Sequence, residues 1–213
     1  MQHGSSATTM EAHWGGGVSP FGTTWQKTMM WIFIVTDGLL FSGLLCGYAF
    51  LRMSNATAWP KQSEVFSIPF IALMTFILIT SSAAMGSAVG ASNMGDRKSA
   101  LRFLIVTILF GAAFLGCQAY EWSHIIHDGA RLNGAVAGSK LAELGVPAQF
   151  GASFFVLTGF HGSHVLSGLI ILTITAIRTG MGKTPAQGVE MAGLYWHFVD
   201  LVWVFIFTLF YLL

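Results

Sequence analysis

Charge is what this sequence has least of. Its 213 residues include ten Lys and Arg and nine Asp and Glu, only 9% of the chain, where a soluble domain carries about 25%. That shortfall excludes most soluble classes. Runs of Lys or Arg are missing too, and the formal net charge is only +1, which argues against a nucleic-acid partner gripped through its phosphates. Cysteine is scarce: Cys46 and Cys117 both lie in apolar stretches, so they read as small hydrophobes and imply no disulfide framework. Residues 1–28 open on a polar tract rich in Gly, Ser and Thr. They lack the basic start, short apolar core and small-residue cleavage site of a removable leader, so the first apolar segment is expected to stay as an anchor.

What is present is apolar length. Apolar residues make up 54% of the chain and the mean hydropathy is +0.67. Runs of about 20 apolar residues, each enough for one crossing, separate at turn signals. The sequence therefore predicts an all-α membrane protein: a polar tail over 1–27, then a bundle of five transmembrane helices over 28–213, with spans at 28–51, 66–91, 101–126, 148–177 and 191–213. A short helix is expected near Lys140 to Leu144 in the longest connector. Six basic residues (Lys27, Arg97, Lys98, Arg102, Arg178, Lys183) fall on the side of the N-terminus and four (Arg52, Lys61, Arg131, Lys140) on the other. The excess places the N-terminus inside and, after five crossings, the C-terminus outside. Trp25, Trp31, Trp59, Trp122 and Tyr211 stand near span ends, where amphipathic rings favour the headgroup zone. Small residues four apart, Gly43 and Gly47, then Ser82, Gly86 and Gly90, then Ser163 and Ser167, mark helix faces able to approach a neighbour closely.

An ionisable group in hydrocarbon costs about 2.5 to 3.5 kcal/mol, so each must face protein, water or a partner. Asp37 stands alone among apolar neighbours in the first span, as a proton-holding carboxylate or as a pin between helices. Gln118, Glu121 and His124 follow one another at three-residue spacing, and His161 and His164 repeat it. A di-iron bundle needs two Glu-x-x-His motifs and two further glutamates, and only one such motif is present. His-x-x-His could supply two ligands to zinc or copper, but Gly162 and Ser163 between them suit a tight helix crossing, so an inter-helix hydrogen-bond network is the expected use and no metal is assigned. Glu190, His197 and Asp200 fall along one stripe of the last span.

The string around them, YWHFVDLVWVFIF from Tyr195 to Phe207, resembles the closing signature of subunit 3 of the haem-copper oxidases. Other segments resemble that family in the same order: TDGLLFSGLLCGYAFLR from Thr36, LITSSAA from Leu78, FGAAFLGCQAYEW from Phe110 and TGFHGSHV from Thr158. The likeness spans all five runs and is closest to five-helix bacterial forms. It implies a subunit with no redox centre of its own, in a bacterial plasma membrane, packed on a catalytic subunit 1 that carries haem and copper. A subunit 2, a small subunit 4 and bound phospholipid are the other implied partners, and support of proton uptake and oxygen access the implied role. Asp37, where cytochrome c oxidases usually have Glu, is more like quinol oxidases. Gln118, Thr158 to His161 and Tyr195 to Asp200 look more like the cytochrome c branch, which is the expected donor. The alternatives are a quinol oxidase, the accessory subunit of a nitric oxide reductase and, most remote, a standalone metalloenzyme using Glu121, His124, His161 and His164.

Overall fold

Apolar runs of this length satisfy their backbone in lipid only as helices or closed barrels. In the computed structural model, which describes residues 24–213, five are helices long and apolar enough to cross a membrane. They are α1 (Trp25–Ser54), α3 (Ile68–Asn93), α4 (Arg97–His127), α6 (Ala148–Gly180) and α7 (Ala186–Ile206), the last continued by a π-helical turn, Phe207–Leu212. Short helices α2 (Gln62–Val65) and α5 (Lys140–Glu143) lie in two connectors, with a two-residue hairpin, β1 (Ala130–Arg131) and β2 (Gly134–Ala135), ahead of α5. Most of the polar tail falls outside the described residues. The helices outrun the apolar runs because polar residues at their ends still complete helical turns: α1 begins at Trp25 rather than Thr28, α4 at Arg97 rather than Leu101, and α7 at Ala186 rather than Met191.

Local chemistry sets the ends. Gly95 and Gly182, at φ +79° and +72°, take the left-handed conformation that closes α3 and α6, where a side chain would be strained. Asp96 caps α4 by accepting from the Ser99 amide at 3.2 Å, and Pro69 fills the first turn of α3. Arg97 then reaches across to α6, donating from Nε to Thr179 O at 2.6 Å and from its terminal nitrogen to Gly180 O. A cation is thereby placed on the negative end of that helix.

Helices α3, α4, α6 and α7 enclose the core, and α1 packs on α6 and α7 from outside. Three indoles fasten this core, each donating to a hydroxyl on another helix: Trp196 to Ser81 (3.0 Å), Trp203 to Thr75 (3.0 Å) and Trp122 to Thr158 (3.1 Å). Trp196 sits in a cradle of glycines. A Cβ added at Gly111 of α4 would stand 2.6 Å from its ring, and one at Gly168 of α6 2.9 Å. Close approaches between long helices thus fall at Gly111, Gly168 and also Gly193, whose added Cβ would stand 2.9 Å from Val89, while Gly43, Gly47, Gly86 and Gly90 meet nothing within 4 Å. Small-residue spacing found faces that can approach; facing bulk decides which do.

Candidate functional site

Three polar clusters tie different helices, two inside the bundle and one on its outer face. The first joins α1, α6 and α7. Asp37, 8% exposed, sets Oδ2 3.4 Å from Nε2 of His164. The other ring nitrogen, Nδ1, stands 2.8 Å from Phe160 O. A carbonyl only accepts, so Nδ1 carries a hydrogen. Nε2 then turns a lone pair towards the carboxyl, and Asp37 Oδ2 is buried without a hydrogen bond. A proton placed between the two would close this contact and leave the pair neutral, which is what an apolar interior tolerates. Aromatic packing and hydrogen bonds hold it in place: Phe41 meets the His164 ring edge-on at 5.3 Å, Ser167 donates to His164 O at 2.9 Å, and Tyr195 OH lies 2.7 Å from Ser167 Oγ.

The second cluster closes the opposite end of the bundle. The π-helical turn after α7 brings two consecutive rings, Phe210 and Tyr211, to full burial. Tyr211 donates to Glu121 Oε2 at 3.1 Å, while Oε1 is buried without a partner. Tyr211 is therefore a core hydrogen-bond donor rather than an interfacial anchor. Gln118, one turn earlier, donates to Thr158 O at 2.6 Å. His124 turns outward, with its side chain 58% exposed, and lies 3.7 Å from Asp128.

The third cluster bridges α3 and α7. Ser82 Oγ lies 2.6 Å from His197 Nδ1, with Asp200 beside both. Glu190 belongs elsewhere: it pairs with Lys27 at 2.6 Å, fastening the start of α1 to α7. The stripe of Glu190, His197 and Asp200 is thus divided between two neighbours, since α7 meets α1 near its start and α3 further along.

His161, fully buried, turns Nε2 to Val199 O at 3.2 Å and packs between Phe114 and Trp203. His164 is occupied by Asp37 and Phe160 O. The four residues of the metalloenzyme alternative therefore do not converge, and among the described residues no three His, Cys, Asp or Glu side chains gather as metal ligands. The sequence marked Ser167 only as a small packing position and Tyr211 only as an interfacial ring, and gave Tyr195 no polar role, yet their hydroxyls complete these clusters. Their one sequence signal is a polar group inside an apolar run, and Ser and Thr in such runs usually bond back to their own helix.

Comparison with known proteins matches this arrangement to a family. The family model described as "Cytochrome c oxidase subunit III" matches residues 6–213. A probable quinol oxidase subunit 3 of Staphylococcus saprophyticus is 34% identical, over 88% of this chain and 89% of its own. The quinol oxidase subunit 3 of Bacillus subtilis is 35% identical, over 86% and 84%. The cytochrome bo(3) ubiquinol oxidase subunit 3 of Pseudomonas aeruginosa is 34% identical, over 95% and 88%. This multi-pass membrane chain belongs to the cytochrome c oxidase subunit III family, the third subunits of the haem-copper oxidases.

Proposed function

We propose that this chain serves a quinol-oxidising, oxygen-reducing complex of a bacterial plasma membrane as its subunit without a redox centre. In this reading it packs on the haem- and copper-bearing subunit 1, alongside subunit 2 and a small subunit 4, with its N-terminus inside. The sequence alone leaned towards cytochrome c as donor. The relatives' names lend no support to that preference, and together with Asp37 they favour quinol. Haem and copper would supply the electron transfer and oxygen chemistry in the partner. Among the described residues no His, Cys, Asp or Glu side chains gather as metal ligands.

The observation that supports the role is the placement of Asp37 3.4 Å from His164 inside an apolar bundle, which we read as a group able to hold one proton. A proton shared by the acid and the ring leaves the pair neutral wherever it rests, and its release to the catalytic partner would leave one negative charge to be refilled by the next proton. Phe41 and Phe198 border the pair's surroundings and also line an apolar groove of about 350 Å³ between α1 and α7, wide enough for a phospholipid acyl chain. Such a chain would keep bulk water from the carboxyl. The test is to purify the complex through this chain in mild detergent, record its haem spectrum and supply either quinol or reduced cytochrome c. Haem reduction and oxygen uptake with quinol alone are expected. Uptake with cytochrome c alone would restore the other donor, and a haem-free chain would overturn the reading.

A further inference from the structure

The bundle leaves the carboxyl of Glu121 half satisfied. The residue is 6% exposed, Tyr211 donates to its Oε2 at 3.1 Å, and Oε1 is buried with no hydrogen-bond partner. Beside it, between α2, α3 and α4, lies a cavity of about 220 Å³ that Glu121 lines. Phe66, Ile71 and Ile125, all buried, make its walls apolar. Phe70 and Tyr120 stand edge to face at 5.6 Å along one side, and Tyr120 is 62% exposed, so the cavity gives onto the outer surface of the bundle. One water needs only about 10 to 15 Å³ of such space, but two to four polar partners. Walls of this kind serve few waters, and most of the space suits a flat apolar body with a polar end. That end must answer Oε1 in either state of the carboxyl, since an ionised one needs a donor and a protonated one an acceptor. A ring hydroxyl serves both, and the carbonyl that replaces it on oxidation serves the acid. His124, one turn further along α4, lines the same cavity and can meet a second oxygen of the ring. Among the described residues no Lys or Arg lines the cavity, so a phospholipid phosphate would find no cation there.

We infer that this cavity binds the ring of a membrane quinol or its quinone, held by Glu121 and His124, with the apolar tail leaving past Phe70 and Tyr120 into lipid. The site holds the molecule and leaves its oxidation to the catalytic partner. Its occupant rests on the proposed reading of the complex as a consumer of quinol.

A short-chain quinone with a diazirine in its tail, reduced in place to the quinol, tests the site on the intact complex. Irradiation and peptide mass spectrometry should place the adduct at the start of α3 or the end of α4 in this chain, and excess unlabelled quinol should suppress it. Glu121→Leu should lower the adduct about tenfold, the worth of one hydrogen bond to a charged group. Ser67 is exposed at the cavity's edge and caps α3 without a side-chain hydrogen bond. Ser67→Trp should therefore narrow the cavity and lower the adduct while the contact of Tyr211 with Glu121 stays intact. Ile170→Trp, outward on α6 and 55% exposed, should leave the adduct unchanged. No adduct on these segments, or one that survives excess quinol or both substitutions at the cavity, would overturn the inference. Oxygen uptake by the same unlabelled preparation separates the two readings. Uptake with quinol but no adduct removes the site alone, whereas uptake with cytochrome c alone removes the proposed donor on which the site rests.

Discussion

A carboxyl and an imidazole survive in the bundle because each removes the other's problem. Replacing His164 by Leu would leave the Asp37 carboxyl, 8% exposed, without its partner, at a cost of about 1 to 3 kcal/mol. Replacing both by Leu should recover much of that loss, since no polar group is then stranded. Thermal unfolding midpoints of the single and double variants in one detergent check this, and additive losses would contradict the pairing. A different carboxylate responds to pH outside the membrane. Hydrogen bonds from Ser99 hold the carboxyl of Asp96 below its ordinary range. Its folded value is therefore below its unfolded one, and the cap's contribution is present above the ordinary carboxylate range and lost as pH falls through the lower folded value. Asp96→Ala should speed amide exchange in the first turn of α4 at neutral pH, and the difference should vanish in strong acid. The scarcity of charge made Asp37, Glu121 and Asp200 legible in the sequence. Their partners were not, because His164, Tyr211 and Ser82 lie on other helices at separations that no local spacing encodes.

At the scale of the helix, bulk against bulk decides the packing. Trp196 fills the space that Gly111 and Gly168 leave open, and its N–H is answered by Ser81. Gly111→Ala should therefore destabilise the chain by about 1 to 3 kcal/mol through overpacking, although alanine is the better helix former. Gly116→Ala on the same helix meets nothing within 4 Å and should be neutral or stabilising. Equal midpoints for the two variants would show that the Trp196 cradle does not constrain α4. All five long helices could be read from hydropathy, because length and apolarity are summed along the chain. The glycines that matter could not, since Gly43 and Gly47 look the same in sequence and only a facing indole distinguishes Gly111. The π-helical turn at Phe207–Leu212 left no trace either: it arises where Phe210 and Tyr211 both reach the core.

For the whole molecule, the ring of four helices carries α1 on its outside. The most apolar stretch of α1 is only 6% buried against 44% in the last span. Its polar ties are Lys27 to Glu190 and Asp37 to His164, with Arg52 meeting the carbonyl of Leu213 at the far end. The Asp37–His164 pair thus sits at a lightly buried seam of the bundle, between α1 and the core. Among the described residues no ligand set gathers, and the polar groups of the spans tie helix to helix; in the proposed role the Asp37–His164 pair also holds a proton. Oxygen consumption by the complex carrying Asp37→Asn, followed through sustained turnover from mildly acid to alkaline pH, bears most directly on that proton. The asparagine amide can still donate to His164 Nε2, so the fold is kept while the exchangeable proton is lost. Turnover should match the unsubstituted complex in acid and fall progressively behind it as protons become scarce. Profiles that superimpose across the whole range would contradict the proton role and leave Asp37 as a lock between helices.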